Sequence, residues 1–273
     1  MIDLHTHHHR CGHASGELDD YVTSARRRGL RYVGLSDHAP LLIDDVQDEP
    51  APGMHMPRSS WAHYLREAGD LKAANVDGIE VLVGVEADYV PGREEAYRVL
   101  LSDPRLDYVI GAVHYFQGRH VYDRSRWTAG TDVDAVYAAY LEQVRAAAAT
   151  GLFDVMAHID AIKARAPRPP RAPEREWDAT VAALRDAGVV VEINTSGYRK
   201  CGTPFPDWGL VERLNEAGVP LTFGSDAHRP DEVHHAWDDV LHGLRRRGVR
   251  ELVVVRERRR SLVSLDAVDV PKR

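Results

Sequence analysis

The sequence predicts an α/β fold whose parallel strands close into a (β/α) barrel, regular or distorted. Three observations point there. Short apolar runs alternate with helical patterns seven or eight times along the 273 residues. Glycines at 151, 188, 218 and 248 each follow a helical stretch and precede an apolar run, as a left-handed stop does. No glycine-rich phosphate fingerprint follows the first apolar run, which disfavours a dinucleotide-binding doubly wound sheet.

Taken in order, the first strand spans residues 1–4. Ser15 is placed to cap a helix running to Arg28, with Gly29 as its stop. Strands follow at 32–35, 80–85, 108–113, 153–156, 189–193 and 221–223, with an optional eighth at 252–255. They are rich in Val, Ile and Tyr and alternate little, which suits burial on both faces. Helices are expected over 60–74, 94–101, 132–149, 174–187, 206–217 and 231–247. Two longer stretches break the rhythm, 40–59 with four prolines and the basic, proline-rich 164–175. Unstructured stretches of this length in a compact domain tend to be functional covers. The acidic residues Asp44, Asp45, Asp48 and Glu49 read first as a solvated surface. No linker or repeat divides the chain, so a single domain over 1–273 is expected, with a polar, loosely held tail from about Arg256.

Composition narrows the function classes. A hydrophobic fraction of 44% and a charged fraction of 28% describe a soluble globular chain, not a disordered or membrane one. A net charge of −7 argues against a general nucleic-acid surface. Two cysteines make no disulfide framework. The first residues lack the basic and apolar regions of a signal peptide. No apolar run approaches the roughly 20 residues that span a bilayer. The expectation is a cytoplasmic protein with no membrane or nucleic-acid partner; oligomeric state is left open.

The chain carries fifteen histidines, and they are not scattered. His5, His7 and His13 follow the first strand, and Asp37 and His38 the second. Glu86, with Asp88 beyond it, ends the third; His114 ends the fourth; His158 ends the fifth. Asn194 ends the sixth, and Asp226 and His228 follow the seventh. In a β/α barrel all strand carboxyl ends meet on one face, where active sites lie. Nine imidazoles and carboxylates exceed what one catalytic ion takes, so two or three ions are expected. Glu86 is the natural bridge, since a carboxylate offers two oxygens. A His-dominated donor set suits Zn, Mn or Fe better than Mg or Ca. His55, His63, His120, His234, His235 and His242 lack strand-end placement and read as solvated or locally bonded.

These motifs resemble the polymerase-and-histidinol-phosphatase (PHP) superfamily of metal-dependent phosphoesterases, and its histidinol-phosphatase branch in particular. The carrying stretches are DLHTHHHRCGHA from residue 3, LSDHAPL from 35, GVEADY from 84, YVIGAVHYF from 108, MAHIDAIK from 156, VEINTSGYRK from 191 and FGSDAH from 223. His8, Ala112, Ala157 and Lys163 stand where the family more often has Thr, Ser, Gly and Arg. The resemblance implies a distorted (β/α)7 TIM-like barrel with a trinuclear centre. One ion would sit on His5, His7, Glu86 and Asp226, a second on Glu86, His114 and His158, and a third on His13, His38 and His228. Asp37 would orient an imidazole from behind.

The implied reaction is hydrolysis of a small phosphate monoester, L-histidinol phosphate, to L-histidinol and phosphate, in histidine biosynthesis. A hydroxide generated at the metals would attack phosphorus, with Glu86, Asp226 and His228 as the catalytic set. Lys163 and Arg199 are the expected phosphate contacts. Asn194, Asp160 and Tyr115 are expected to read the organic part of the substrate. The alternative is a PHP phosphoesterase acting on nucleotides or other small phosphate esters.

Overall fold

The computed structural model describes residues 1–74, 78–167 and 173–266. Strands β1 (Ile2–Asp3), β2 (Tyr32–Leu35) and β3 (Glu80–Val83) pair in parallel, in that order. Next come β4 (Glu86–Asp88) and β5 (Ile110–Ala112), then a short hairpin of β6 (Tyr115–Phe116) and β7 (Arg119–His120). With β8 (Val155–Met156), β9 (Val190–Asn194) and β10 (Leu221–Gly224), strands β4 and β5 form a second parallel sheet, ordered β10-β9-β8-β5-β4.

Both seams between the sheets are hydrogen-bonded. Ala39 N donates to Glu86 O at 2.7 Å, and Gly84 N to Leu35 O at 2.7 Å. On the other side Leu4 N donates to Phe223 O at 3.0 Å, and Thr6 bridges to Ala227. Taken with β3 and β4 as two halves of one bent strand, seven parallel strands ring the core, as the sequence predicts. The bend falls at Gly84 for a steric reason. A Cβ there would lie 2.3 Å from the ring of Tyr108, which is fully buried and donates from Oη to Leu4 O at 2.5 Å.

The helices cover the ring: α1 (Leu18–Arg27), α2 (Trp61–Ala73), α3 (Glu94–Leu101), α4 (Val133–Ala149), α5 (Glu174–Ala187), α6 (Ser196–Cys201), α7 (Trp208–Glu216) and α8 (Trp237–Arg246). Helix α1 shows why they dock. Leu18, Tyr21, Val22 and Ala25 repeat at helical spacing and are all buried, each large side chain contributing about 1.5–3 kcal/mol. Helix α5 stops at Gly188, whose φ of 64° suits a residue without a Cβ.

Four expectations are corrected. Ser15 does not cap α1; the helix starts after Glu17, whose N–H donates to Asp20 Oδ2 at 2.8 Å. Ser15 N instead donates to His228 O at 2.9 Å, tying that loop to the rim. Helix α8 starts later than expected because Pro230–Glu232 form a separate 3-10 turn. The short α6 was not expected at all. The eighth strand lies outside the parallel ring: β11 (Glu251–Arg256) pairs antiparallel with β12 (Arg259–Ser264). Thus the stretch expected to be a loose tail forms a hairpin, and Leu265 beyond it is buried. Residues 267–273, and 168–172 of the proline-rich stretch, lie outside the described residues. Among the described residues no helix is long and apolar enough to cross a membrane.

Candidate metal centre

The turns after the parallel strands bring the predicted ligands to one rim. His5 Nε2 and His7 Nε2 are 3.0 Å apart. Glu86 Oε2 lies 3.4 Å from the first and 3.5 Å from the second. Asp226 Oδ1 is 3.2 Å from His7 Nε2. The other Glu86 oxygen, Oε1, is 2.9 Å from His158 Nε2 and 3.9 Å from His114 Nε2. On the outer side the His7 ring is 4.3 Å from those of His38 and His228, and His13 is 4.8 Å from His228. Sets of donors close enough to share an ion are His5–His7–Glu86, His38–Glu86–His114 and His7–His38–His228. A further set, His7–Cys11–Asp37, lies behind them.

Behind three of these imidazoles stands a carboxylate. Glu192 Oε1 is 2.6 Å from His5 Nδ1, Asp37 Oδ1 3.3 Å from His7 Nδ1, and Asp88 Oδ1 3.3 Å from His114 Nδ1. An ionised carboxylate only accepts, so each of these Nδ1 atoms carries the proton. Nε2 is then the nitrogen that each ring can offer as a lone pair once it is neutral, and all three lie toward Glu86. The sequence reading anticipated Asp37 in this role but missed Glu192, which lies mid-strand on β9 where a charged side chain normally faces solvent. His8, left unassigned from sequence, is buried and packs its Nδ1 against Asp37 Oδ2.

This arrangement tests whether the residues fit a metal. His5 Nε2 and His7 Nε2 face one another across 3.0 Å, beside two carboxylates. His38 Nδ1 and Glu86 Oε2 approach to 2.9 Å yet neither has a directed hydrogen bond. Only positive charge satisfies such a cage, and its N- and O-donors suit a divalent cation. Electrostatics agree. Burial opposes protonation of His5 and His7, but the facing carboxylates outweigh it and hold both above the usual imidazole value. Burial also opposes ionisation of Glu86 and Asp226, yet surrounding imidazoles and Lys200 hold both well below the usual carboxylate range. His228 differs. Burial and His7 push it down to about 3, so its ring is neutral near pH 7 and suits ligation rather than proton donation.

Two of the predicted ligands are held in unusual backbone. His158 has φ 29° and Asp226 φ 53°, both in the region that residues with a Cβ rarely occupy. Each costs on the order of 1–3 kcal/mol, a kind of strain that clusters at functional sites. Gly224 contributes by its lack of a side chain, since a Cβ there would meet Glu192 Oε1 at 1.9 Å and His5 Cβ at 2.5 Å.

Six of the predicted ligands, His13, His38, Glu86, His114, Asp226 and His228, line a cavity of about 370 Å³, whose walls include Arg199, Lys200, Tyr122 and His55. Lys200 was missed from sequence. Its Nζ lies 3.2 Å from Asp226 Oδ2 and 3.0 Å from Ser196 Oγ, over the ring of Tyr122. Burial opposes its charge, but Asp226 and Tyr122 raise its pKa, so it stays cationic. Arg199 lines the same cavity, with Nη2 3.4 Å from Glu232 Oε2.

The other expected substrate contacts fall elsewhere. Lys163 turns away, pairing with Asp160 Oδ2 at 2.8 Å and donating to Pro204 O at 2.7 Å. Both line a different cavity, beside Trp177 and Tyr137. Asn194 is fully buried behind the ligands, donating to Glu192 Oε2 at 2.9 Å. Tyr115 stacks on His55 at 6.0 Å but does not line the metal-side cavity.

The PHP domain family model matches residues 3–196. This chain belongs to the PHP family. Seven of the PHP-type ligand positions, His5 to His158, lie inside the matched span; Asp226 and His228 lie beyond it, and the β10–β1 seam brings them back. A PHP relative from Deinococcus radiodurans, named a probable histidinol-phosphatase, is 32% identical over 254 residues, covering 92% of this chain and 95% of its own. The histidinol-phosphatase of Bacillus subtilis is 26% identical, covering 88% of this chain and 97% of its own. Among solved structures, histidinol phosphate phosphatase from Lactococcus lactis, complexed with Zn, L-histidinol and phosphate, superposes with a TM-score of 0.72 at 20% identity, covering 95% of this chain and 98% of that one. The likeness of fold spans nearly the whole of both chains.

Proposed function

We propose that this chain is a metal-dependent phosphatase that hydrolyses L-histidinol phosphate to L-histidinol and phosphate, a step of histidine biosynthesis. Relatives named histidinol-phosphatase, aligned over most of both chains, support the substrate. The observation that carries the chemistry is the pair of His5 and His7 Nε2 atoms facing Glu86 and Asp226, with two cations at the cavity wall.

Two or three divalent ions fit the donors, and Zn, Mn or Fe match their chemistry. His5, His7, Glu86 and Asp226 would hold one, Glu86, His114 and His158 another, and His13, His38 and His228 a third. Bound there, such ions supply Lewis acidity, offsetting phosphoryl charge and lowering the pKa of water to about 7.

The chain's own groups do the rest. Glu192, Asp37 and Asp88 keep the Nδ1 protons of His5, His7 and His114 in place, so Nε2 is the nitrogen each ring turns to an ion. Lys200 and Arg199 remain charged and offer N–H donors to phosphoryl oxygens. Lys200 also holds Asp226 Oδ2, together with Ser196 Oγ at 2.8 Å, which leaves Oδ1 facing the centre. The loop before α2 helps close the cavity: Gly53 O lies 3.1 Å from His13 Nδ1. We place the reaction in the cytoplasm, where two free thiols, Cys11 and Cys201, stay reduced.

The test is phosphate release from L-histidinol phosphate, adenosine monophosphate and p-nitrophenyl phosphate by metal-loaded protein. The expected result is a kcat/KM at least about 100-fold higher for histidinol phosphate. Equal values would overturn the substrate, and no release from any ester would overturn the phosphatase.

A further inference from the structure

His55 belongs to the proline-rich loop that precedes α2, and sequence alone leaves it solvated or locally bonded. In the structure it is 3% exposed and lines the metal-side cavity. Its Nε2 lies 2.6 Å from Asp88 Oδ2. Asp88 is shared, because its other oxygen accepts from His114 N at 3.0 Å and faces His114 Nδ1. The carboxylate only accepts, so His55 Nε2 carries the proton and Nδ1 is a lone pair. That Nδ1 is buried and has no hydrogen-bond partner among the described residues. His55 belongs to none of the clusters placed to share an ion there. A buried acceptor left unmade is costly, and in a native fold it asks for a partner from outside.

The cavity is also polarised along its length. Lys200 lies over Tyr122 at 4.9 Å, and the rings continue through His120 at 5.4 Å, His114 at 5.6 Å, His38 at 5.5 Å and His55 at 5.3 Å. Lys200 stands at one end of this series of contacts and the unpaired acceptor at the other, and Lys200, Arg199 and His55 all line the cavity. A phosphate at the cationic end leaves the organic end of the same molecule nearest His55.

We propose that His55 is a specificity-determining residue, accepting a hydrogen bond at Nδ1 from an N–H of the substrate's organic end, its ammonium or its imidazole. This rests on histidinol phosphate being the substrate. Asp88 positions the ring, and the loop carries it to the cavity.

The experiment uses metal-loaded His55→Phe and His55→Gln proteins. His55→Phe keeps a ring but no acceptor. It is expected to lower kcat/KM for L-histidinol phosphate by about 10- to 100-fold, mainly through KM, while p-nitrophenyl phosphate changes by less than about threefold. The Kd for L-histidinol, measured by calorimetry, should rise by about the same factor, with metal content unchanged. His55→Gln restores an acceptor and should recover part of the loss. Equal losses on both esters, a fall in bound metal, or no loss on either would overturn the proposal. A wild-type enzyme that does not prefer histidinol phosphate would instead refute the substrate assignment, in the same assay and before any variant is compared, and the role of His55 with it.

Discussion

Glu192 Oε1 stands 2.6 Å from His5 Nδ1, both side chains fully enclosed, on the side of the imidazole away from Glu86. Asn194 fixes the other oxygen at 2.9 Å, and the bare backbone of Gly224 leaves the space. The pair sets which nitrogen of His5 faces the centre. A carboxylate in this position also makes the imidazole a stronger donor.

Replacing Glu192 by Gln keeps the shape and removes the charge. Metal affinity should fall about 10- to 100-fold, read by competition with a chromogenic chelator. Unchanged affinity would show that His5 needs no fixed tautomer.

The two lysines separate cleanly. Lys200→Ala removes a cation from the cavity wall and should lower kcat/KM by about 10- to 100-fold, since charge-assisted hydrogen bonds to phosphate are strong. Lys163→Ala should leave turnover within about threefold but lower the unfolding free energy by about 1–3 kcal/mol, because it removes the cation paired with the buried Asp160 carboxylate and leaves it only the Asp207 N–H. Steady-state kinetics and urea denaturation of both variants check this. A larger kinetic loss for Lys163→Ala would reverse the assignment.

His234 sets a pH dependence away from the metal ligands. Burial, then the N-terminal amine and Arg28, hold it at about 3, whereas the unfolded ring titrates near its ordinary value of about 6.5. Between those values the unfolded chain binds the extra proton. The contribution of neutral His234 is therefore full above about pH 6.5 and is lost as pH falls toward 3. Asn tolerates the backbone here, where φ is 60°. From pH 7 to 5, His234→Asn should lose about 2 kcal/mol less stability than wild type by urea denaturation. Equal losses would place the acid sensitivity elsewhere.

Much of this architecture was legible because barrel geometry converts strand ends into a site. His5, Glu86, His114, His158 and Asp226 each follow an apolar run, so locating the strands located the ligands. What escaped depends on tertiary contact. Lys200 rides a six-residue helix whose Ser and Gly give no periodic signal, and its neighbour Arg199 looked the better phosphate donor. His55 lies in a loop without periodicity, where only packing against Asp88 sets its direction. Glu192 is a charge inside a strand, and sequence cannot tell an inward carboxylate from an outward one. Lys163 follows a strand-end motif, but the nearby Pro204 carbonyl and Asp160 draw it away. The bend at Gly84 depends on the Tyr108 ring, which comes from the segment leading into β5.

The central claim is that Glu86 ties two donor groups into one working centre. Its oxygens reach His38 at 2.9 Å and His158 at 2.9 Å, with His5 and His7 between. The most direct measurement is bound metal by elemental analysis, together with phosphate release from L-histidinol phosphate, for wild type and Glu86→Ala purified side by side. The account predicts two to three metal equivalents in wild type, at least one fewer in the variant, and activity lower by more than about 100-fold. A Glu86→Ala protein that keeps its full metal complement and its turnover would contradict it.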